Sequence, residues 1–422
     1  MKPRALLLVL LVLAVPVFAK QRAVRHPILL PPVSGPTFSK DVAPIFQQHC
    51  QNCHRPGDIA PFPLLTYADA KPRAGMIKIM TSTRQMPPWK AVDGCGDFKD
   101  ERRLSDAQIA TIGAWVANGA PEGNPSDMPP PLKFSSDWGL GAPDLVLANA
   151  EAFTPPPHVD TYRCFTVPTN LTEDKWVRAV DTHPGDRATV HHVLTFIDTT
   201  GESVKLDEAE PGPGYTCFGG PGFNTTGTLG GWAPGQRPLE LPENVAFKLP
   251  AASRIVMQVH YHPHNDTTIP DRTEYGVYYS DAASPKQMVI LPLVNQSFTI
   301  PPNDPNYRVD AAFPIATPFA MKLWLVAPHM HLLGKKMKVE MTPKNGAAQC
   351  LIQIDDWDFN WQGSYLYQNP IDVPAGTKLS LTAYYDNSSN NPRNPNSPPK
   401  PVSWGEATTD EMCLAFVGVT FE

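Results

Sequence analysis

Cys50-Gln51-Asn52-Cys53-His54 is a CxxCH string. Two thiols at that spacing can add to the two vinyl groups of one haem, and the adjacent imidazole then reaches the iron, so the string reads as c-type haem attachment. Zinc would need a second ligand pair nearby, and none follows at finger or ribbon spacing. Three further strings are rich in histidine: Val190-His191-His192-Val193-Leu194, Gln258-Val259-His260-Tyr261-His262-Pro263-His264 and Pro328-His329-Met330-His331-Leu332-Leu333-Gly334. They hold seven of the chain's 12 histidines, a clustering that points to metal. On a strand, His329 and His331 would project to one side and form a two-point clip. His191 and His192 would point to opposite faces of a regular strand. Either one is a core residue or the strand bends or ends there.

The elements around CxxCH are helical. Ser39 is placed to cap a short helix carrying Val42, Ile45 and Phe46 on one face. Ser105-Asp106-Ala107-Gln108 reads as a capping box. Ile109, Ile112, Trp115 and Val116 then recur at helical spacing until Gly119. The order helix, CxxCH, loops, closing helix resembles class I cytochromes c over residues 36–122. That resemblance implies a Met sulfur as sixth iron ligand. Met86, in Arg84-Gln85-Met86-Pro87-Pro88-Trp89, stands in a loop that its prolines hold extended. Met76 and Met80 are the alternatives, but they fall on an expected helix over residues 74–81 and read as core. Trp89 reads as packing near the haem.

The rest of the chain must be organised differently. Of 422 residues, 49 are proline, and 42% are hydrophobic, enough for sizeable cores. The net charge of −6 offers nothing that would draw nucleic acid or an anionic membrane surface. Lys2, Arg4, the apolar run 5–18 and Val17-Phe18-Ala19 form an export signal over residues 1–19, too short for a comfortable membrane span. The mature chain is therefore expected to be periplasmic or secreted, with no membrane span. Residues 123–144 form a Pro/Gly-rich linker. Beyond it, alternating runs such as Leu379, Leu381 and Ala383 between Pro/Gly turns predict antiparallel β-sandwiches. The expected fold class is thus multidomain: a small all-α domain followed by two jelly-roll-like sandwiches, over residues 145–292 and 293–422.

Asp160-Thr161-Tyr162-Arg163-Cys164, Val190-His191-His192, Gln258-Val259-His260-Tyr261, His329-Met330-His331-Leu332-Leu333-Gly334-Lys335 and Asp410-Glu411-Met412-Cys413 occur in one order along residues 145–422. In this the chain resembles the copper type II, ascorbate-dependent monooxygenases, the family of peptidylglycine hydroxylating and dopamine beta-monooxygenases. The resemblance implies two mononuclear coppers, one held by His191, His192 and His260, the other by His329, His331 and Met412. Imidazole suits copper in either oxidation state and a thioether favours Cu(I), so the second site is the expected O₂ and hydroxylation centre and the first an electron reservoir. His262 and His264 are left as surface or supporting residues. Peptide-amidating members carry an Arg and a Tyr at the positions of Ala327 and Phe416. The carboxylate clamp is therefore missing, and a less charged substrate is implied. The resemblance also implies a Cys164–Cys217 bridge. Cys350 and Cys413 are candidates to pair, leaving Cys95 odd among seven cysteines, two of them in CxxCH.

The expected activity is hydroxylation of a small organic substrate at a C–H bond with O₂. Electrons from an external donor would enter through the haem, most simply toward the three-histidine copper. Two other classes remain open. One is an electron carrier or copper-handling protein without hydroxylase activity. The other is a reductase of nitrogen oxides, against which stands the lack of a cysteine paired with any histidine string.

Overall fold

A computed structural model describes residues 35–134, 138–263, 266–313 and 316–422. The expected export signal, His264 and Ser135–Asp137 of the linker lie outside the described residues. No helix among the described residues is long and apolar enough to cross a membrane.

The N-terminal segment is helical. A π-helical turn, Phe38–Val42, runs into α1 (Ala43–His49), followed by α2 (Ala74–Ser82) and α3 (Asp106–Ala117). At α3 the Ser105/Gln108 capping box is formed, and Gly119 turns the chain out of the helix at φ +81°. At the first turn, Ser39 is not the cap. It is buried within the turn, and Thr37 takes the N-cap position, its backbone N–H donating to Asp41. Phe38, Val42, Phe46, Ile77, Ile112 and Trp115 close a small core. Met76, expected in that core, is 48% exposed, because α2 buries Ala74, Ile77 and Thr81 instead.

Residues 145–287 form two sheets facing one another. One contains β1 (Leu145–Ala148), β3 (Lys175–His183), β5 (Val245–Leu249) and β7 (Glu274–Tyr279). The other contains β2 (Thr161–Pro168), β4 (Val190–Asp198) and β6 (Arg254–Tyr261) in the order β2-β6-β4. The two-residue periodicity of a strand sorts β6. Ile255, Met257, Val259 and Tyr261 enter the core between the sheets, while Val256, Gln258 and His260 lie on the opposite face. Cys164–Cys217 bridges that opposite face, and Gln258 Nε2 donates to the Cys217 carbonyl at 2.7 Å.

The change of sheet falls at Met288. From there β8 (Val289–Asn295), β9 (Tyr307–Ala312), β10 (Met321–His329), β11 (Gly334–Thr342), β12 (Gln349–Ile354), β13 (Tyr365–Val373), β14 (Lys378–Tyr385) and β15 (Cys413–Phe421) build a second pair of sheets. The strand orders are β8-β15-β10-β13 and β9-β14-β11-β12. Leu323, Val326, Val339, Leu381, Ala415 and Val417 fill the space between them.

The helical segment does not simply hang from a linker. Residues 91–99 run along two open edges of the second pair. Val92 N–H donates to Gln353 O of β12 at 2.9 Å, and Lys99 N–H donates to Leu366 O of β13 at 2.8 Å. Ala91 and Phe98 enter the core of that pair. Such coverage removes exposed strand edges. Cys95 pairs with Cys350 on β12, which overturns the expected Cys350–Cys413 pairing: Cys413 is a buried free thiol and Cys95 is not odd. Gly96, beside the bridge, has φ +89°, and a Cβ there would come within 2.7 Å of the Leu351 carbonyl, so only glycine fits. Trp89 packs edge-on against Tyr365 of β13, ring centroids 5.1 Å apart.

Candidate metal centres

The first histidine cluster arises from a defect in a strand pair. β4 and β6 pair with His192 opposite His260 and Val190 opposite Tyr261, so His191 is an extra residue in a bulge. Of the alternatives the spacing left open, a core residue or a bent or ended strand, this is the bend. Val190 and Val193 both reach the core, and both imidazoles between them emerge on the outer face with His260. Ring centroids lie 5.0 Å apart for His191–His260 and 4.8 Å for His192–His260, and one nitrogen from each ring falls within a 4.8 Å span. The Nδ1 atoms of His191 and His192 are 3.2 Å apart.

His260 is 1% exposed, and neither of its nitrogens has a hydrogen-bond partner. The nearest carboxylate oxygen, on Asp160, stands 3.6 Å from Nε2. Burying an imidazole this way is costly unless something else takes its lone pair. Burial, with the neighbouring histidines, pushes His191 down to about 3 and His192 well below its ordinary value; His260 is lowered by burial despite Asp160. All three are neutral at neutral pH, the form that ligates a metal. Tyr162 stacks on His260 at 4.1 Å and donates its hydroxyl to Glu406 O, while Thr408 donates to Asp160 at 2.8 Å, so the loop preceding Met412 braces the cluster. His262 Nδ1 also contacts Asp160.

The second cluster forms where strands end. β10 stops at His329, with His331 just beyond it, and their ring centroids are 5.1 Å apart. His329 Nδ1–H donates to Gln362 Oε1 at 2.5 Å, and His331 Nδ1–H donates to the Asp410 carbonyl at 3.2 Å. Each ring therefore keeps Nε2 available. β10 and β15 pair with Ala327 opposite Phe416 and His329 opposite Leu414. Met412, 6% exposed, stands just before β15, two residues from the partner of His329. Glu411, fully buried, accepts from the backbone N–H groups of His331 at 2.9 Å, Leu333 at 2.6 Å and Met412 at 3.2 Å, tying both chain segments together. Burial pushes its carboxyl up to about 8, against the pull of those N–H groups. His329 is pushed down to about 4 and His331 to about 3, burial being the main cause in both. Two neutral imidazoles and a buried thioether make a softer donor set than the first cluster.

The loop 355–362 touches both clusters, and nothing in its spacing announced this. Its one cue was three aromatic residues, Trp357, Phe359 and Trp361, in an otherwise polar stretch. Trp357 Nε1–H donates to His331 O at 3.1 Å. Gln362 holds His329, and Phe359 lies between His191 and His331. Asp160 and Glu411 were visible only as members of their strings.

At CxxCH, Cys50 caps α1 and the His54 N–H donates back to the Cys50 carbonyl at 2.9 Å. His54 Nδ1–H donates to Phe62 O at 3.0 Å, leaving Nε2 free, and both thiols are unpaired. Two free thiols and an imidazole nitrogen on one turn fit a covalently attached haem. Met86 is half-buried, its N–H bonded to Met80 O at 3.1 Å and its peptide to Pro87 cis. Trp89 presents a buried indole N–H without a partner, and the Arg102 guanidinium lies 5.9 Å from its ring. Arg102 donates to Gly235 O at 3.0 Å and Arg237 pairs with Asp100 at 2.8 Å, joining this region to the first sheet pair.

Residues 286–419 match the sequence profile of the copper type II ascorbate-dependent monooxygenase, C-terminal domain. The chain is 22% identical over 254 residues to the human (Homo sapiens) DBH-like monooxygenase protein 1, covering 55% of this chain and 39% of that protein, so it spans well under half of that relative's length. These similarities support a copper-dependent, monooxygenase-like protein. Among solved structures, the infectious bursal disease virus VP2 subviral particle matches with a TM-score of 0.20 and 7% identity over 69% of this chain and 74% of that one. PNGase F, a glycosylasparaginase from Flavobacterium meningosepticum, matches with a TM-score of 0.26 and 9% identity over 66% of this chain and 96% of that one. Likenesses of this size carry no argument.

Proposed function

We propose that the chain is an exported haem- and copper-dependent monooxygenase that hydroxylates a C–H bond: RH, O₂, two electrons and two protons give ROH and water. The observation that carries this reading is a pair of adjacent histidine clusters in unlike settings, one of three imidazoles, among them His260 with both buried nitrogens unbonded, the other of two imidazoles whose turn Glu411 ties to the segment of Met412. His191, His192 and His260 would hold one copper, and His329, His331 and Met412 the other. Copper bound there supplies one-electron transfer and O₂ reduction. A haem held by Cys50, Cys53, His54 and Met86 would supply the inlet from an external donor, in a small all-α cytochrome c domain ahead of two jelly-roll-like copper domains.

The chain's own residues account for the rest. Gln362 and the Asp410 carbonyl fix His329 and His331 in the tautomer that leaves Nε2 free. Glu411 holds the turn carrying His331 against the segment carrying Met412. Ala327 and Phe416, cross-strand partners beside this cluster, present no charge to a substrate, which favours a neutral or apolar one. The two disulfides fit an oxidising compartment, periplasmic or extracellular.

One observation favours the rival, an electron carrier or copper-handling protein: His260, His331, Met412 and Phe359 are all more than nine-tenths buried. Oxygen uptake by the reduced, copper-loaded chain, tested with a panel of small aromatic and aliphatic compounds, separates the two. Uptake that depends on the added compound and matches hydroxylated product supports the monooxygenase. Rapid oxidation of the metals with no dependence on any compound supports the carrier.

A further inference from the structure

Phe359 is 6% exposed, yet it belongs to none of the hydrophobic cores and sits in the polar stretch Asp355-Asp356-Trp357-Asp358-Phe359-Asn360. A large apolar side chain on such a loop ordinarily inserts into a core. This one inserts between two groups of imidazoles. Its ring stacks face to face on His191, centroids 4.7 Å apart and planes 16° from parallel, and meets the His331 ring edge-on at 5.8 Å and 88°. His191 is the bulge residue, the one imidazole of its cluster that strand pairing does not register.

The loop's placement does not depend on that ring. Trp357 Nε1–H donates to His331 O, Trp357 N–H donates to Lys335 O at 2.9 Å, and Gln362 Nε2 donates to the Phe359 carbonyl at 2.9 Å while its Oε1 receives His329. Lys90 pairs with Asp356 at 2.8 Å from the helical segment. The loop is thus pinned on both sides of Phe359, and the ring is held between His191 and His331.

We propose that Phe359 is the positioning residue that couples the two centres: it fixes the His191 imidazole by stacking and fills the gap to His331 with a single aromatic ring in place of water. This rests on the two-centre reading above. With copper held at both sites, the step it would serve is passage of one electron from the His191/His192/His260 site to the His329/His331/Met412 site, the first oxidised and the second reduced by one unit, with no bond formed or broken and no proton moved.

The test uses the full haem- and copper-loaded chain and two ringless variants, Phe359→Leu and Phe359→Met, so that failure of one to fold leaves the other. Phe359→Tyr keeps the ring. Copper content is measured first: fewer than two coppers per wild-type chain removes the two-centre reading and this proposal with it. Cu(II) affinity of the three-histidine cluster is then measured by chelator competition in a His329→Ala background. Loss of an aromatic stack should weaken it roughly 2- to 10-fold in the ringless variants and leave Phe359→Tyr unchanged. The EPR hyperfine pattern of that Cu(II) should shift in the ringless variants alone. After one-electron photoreduction of the oxidised two-copper chain, equilibration between centres should slow in both ringless variants and keep the wild-type rate in Phe359→Tyr. Two coppers bound, an unchanged hyperfine pattern and an unchanged equilibration rate in a folded ringless variant would overturn the proposal. A fall in thermal stability alone, with those readouts unmoved, would reduce Phe359 to packing and overturn it equally.

Discussion

The two histidine clusters solve the same problem by different means. The first is registered mainly by backbone: a bulge in β4 turns two consecutive imidazoles toward His260, and the pairing of β4 with β6 sets His192 and His260, while His191, unpaired in the bulge, leans on Phe359. The second lies where β10 ends: His329 is its last paired residue, and Gln362, Glu411 and the Asp410 carbonyl orient the rings of His329 and His331 and tie the turn beyond to Met412. In the first, the nitrogens of His260 are unbonded and the Nδ1 atoms of His191 and His192 converge; in the second, each Nδ1 is already used. A cluster built on strand pairing should resist removal of its surrounding side chains. One built on side-chain hydrogen bonds should be soft to it, and the substitutions below press on that difference.

The largest effect should come from the one donor that distinguishes the clusters. Met412→Ala removes the thioether and should lower substrate hydroxylation by about 100-fold or more, since each 1.4 kcal/mol of lost stabilisation is tenfold in rate. The Cu(II) EPR signal of the three-histidine cluster should remain. His192→Ala should do the reverse, erasing that signal while leaving the sulfur-ligated site able to bind Cu(I). Equal damage to both signals from either substitution would mean that the clusters are one coupled site.

The disulfides differ as the clusters do. Cys164–Cys217 spans 53 residues within the first sheet pair, close behind its cluster, while Cys95–Cys350 spans 255 and ties the helical segment to the second pair. The double substitution Cys95→Ser/Cys350→Ser should lower unfolding stability by about 2–4 kcal/mol, measured by denaturant titration. Native hydrogen exchange should rise along residues 91–99, β12 and β13, and stay unchanged on β4 and β6.

Smaller effects test the supports. Gln362→Ala should weaken metal binding at His329/His331 roughly 10-fold or somewhat more, because it frees the His329 ring to rotate and change tautomer. Affinity at the three-histidine cluster should hold. The matching change on the other side, Tyr162→Leu, removes only a stacked ring from His260 and should cost about 2- to 10-fold there. If Tyr162→Leu proved worse than Gln362→Ala, the contrast between backbone-held and side-chain-held clusters would be lost.

What could be read in advance follows the same division. The capping box at Ser105 is local, and local periodicity carries it; His329 and His331 were expected on one strand, and the rings do lie together, but β10 ends at His329. The adjacent histidines at 191 and 192 demanded an irregular strand, and the bulge supplies it, although no residue type marked its place. Ser39 was misread because a Thr–Asp pair two residues either side, Thr37 and Asp41, made the competing turn. The Cys95 pairing was hidden because order along the chain says nothing of a segment that crosses 255 residues to cover a sheet edge. Phe359 and Gln362 were invisible for the same reason: their roles exist only once β12 and β13 bring their loop between the clusters.

The most direct measurement is copper-edge X-ray absorption on the fully reduced chain, joined to metal analysis. Two coppers per chain, a nitrogen shell at both, and one sulfur scatterer for every two coppers that disappears in Met412→Ala are the expected result. A single copper, or nitrogen and oxygen scatterers alone in the wild-type chain, would contradict the assignment of two centres with unlike donors.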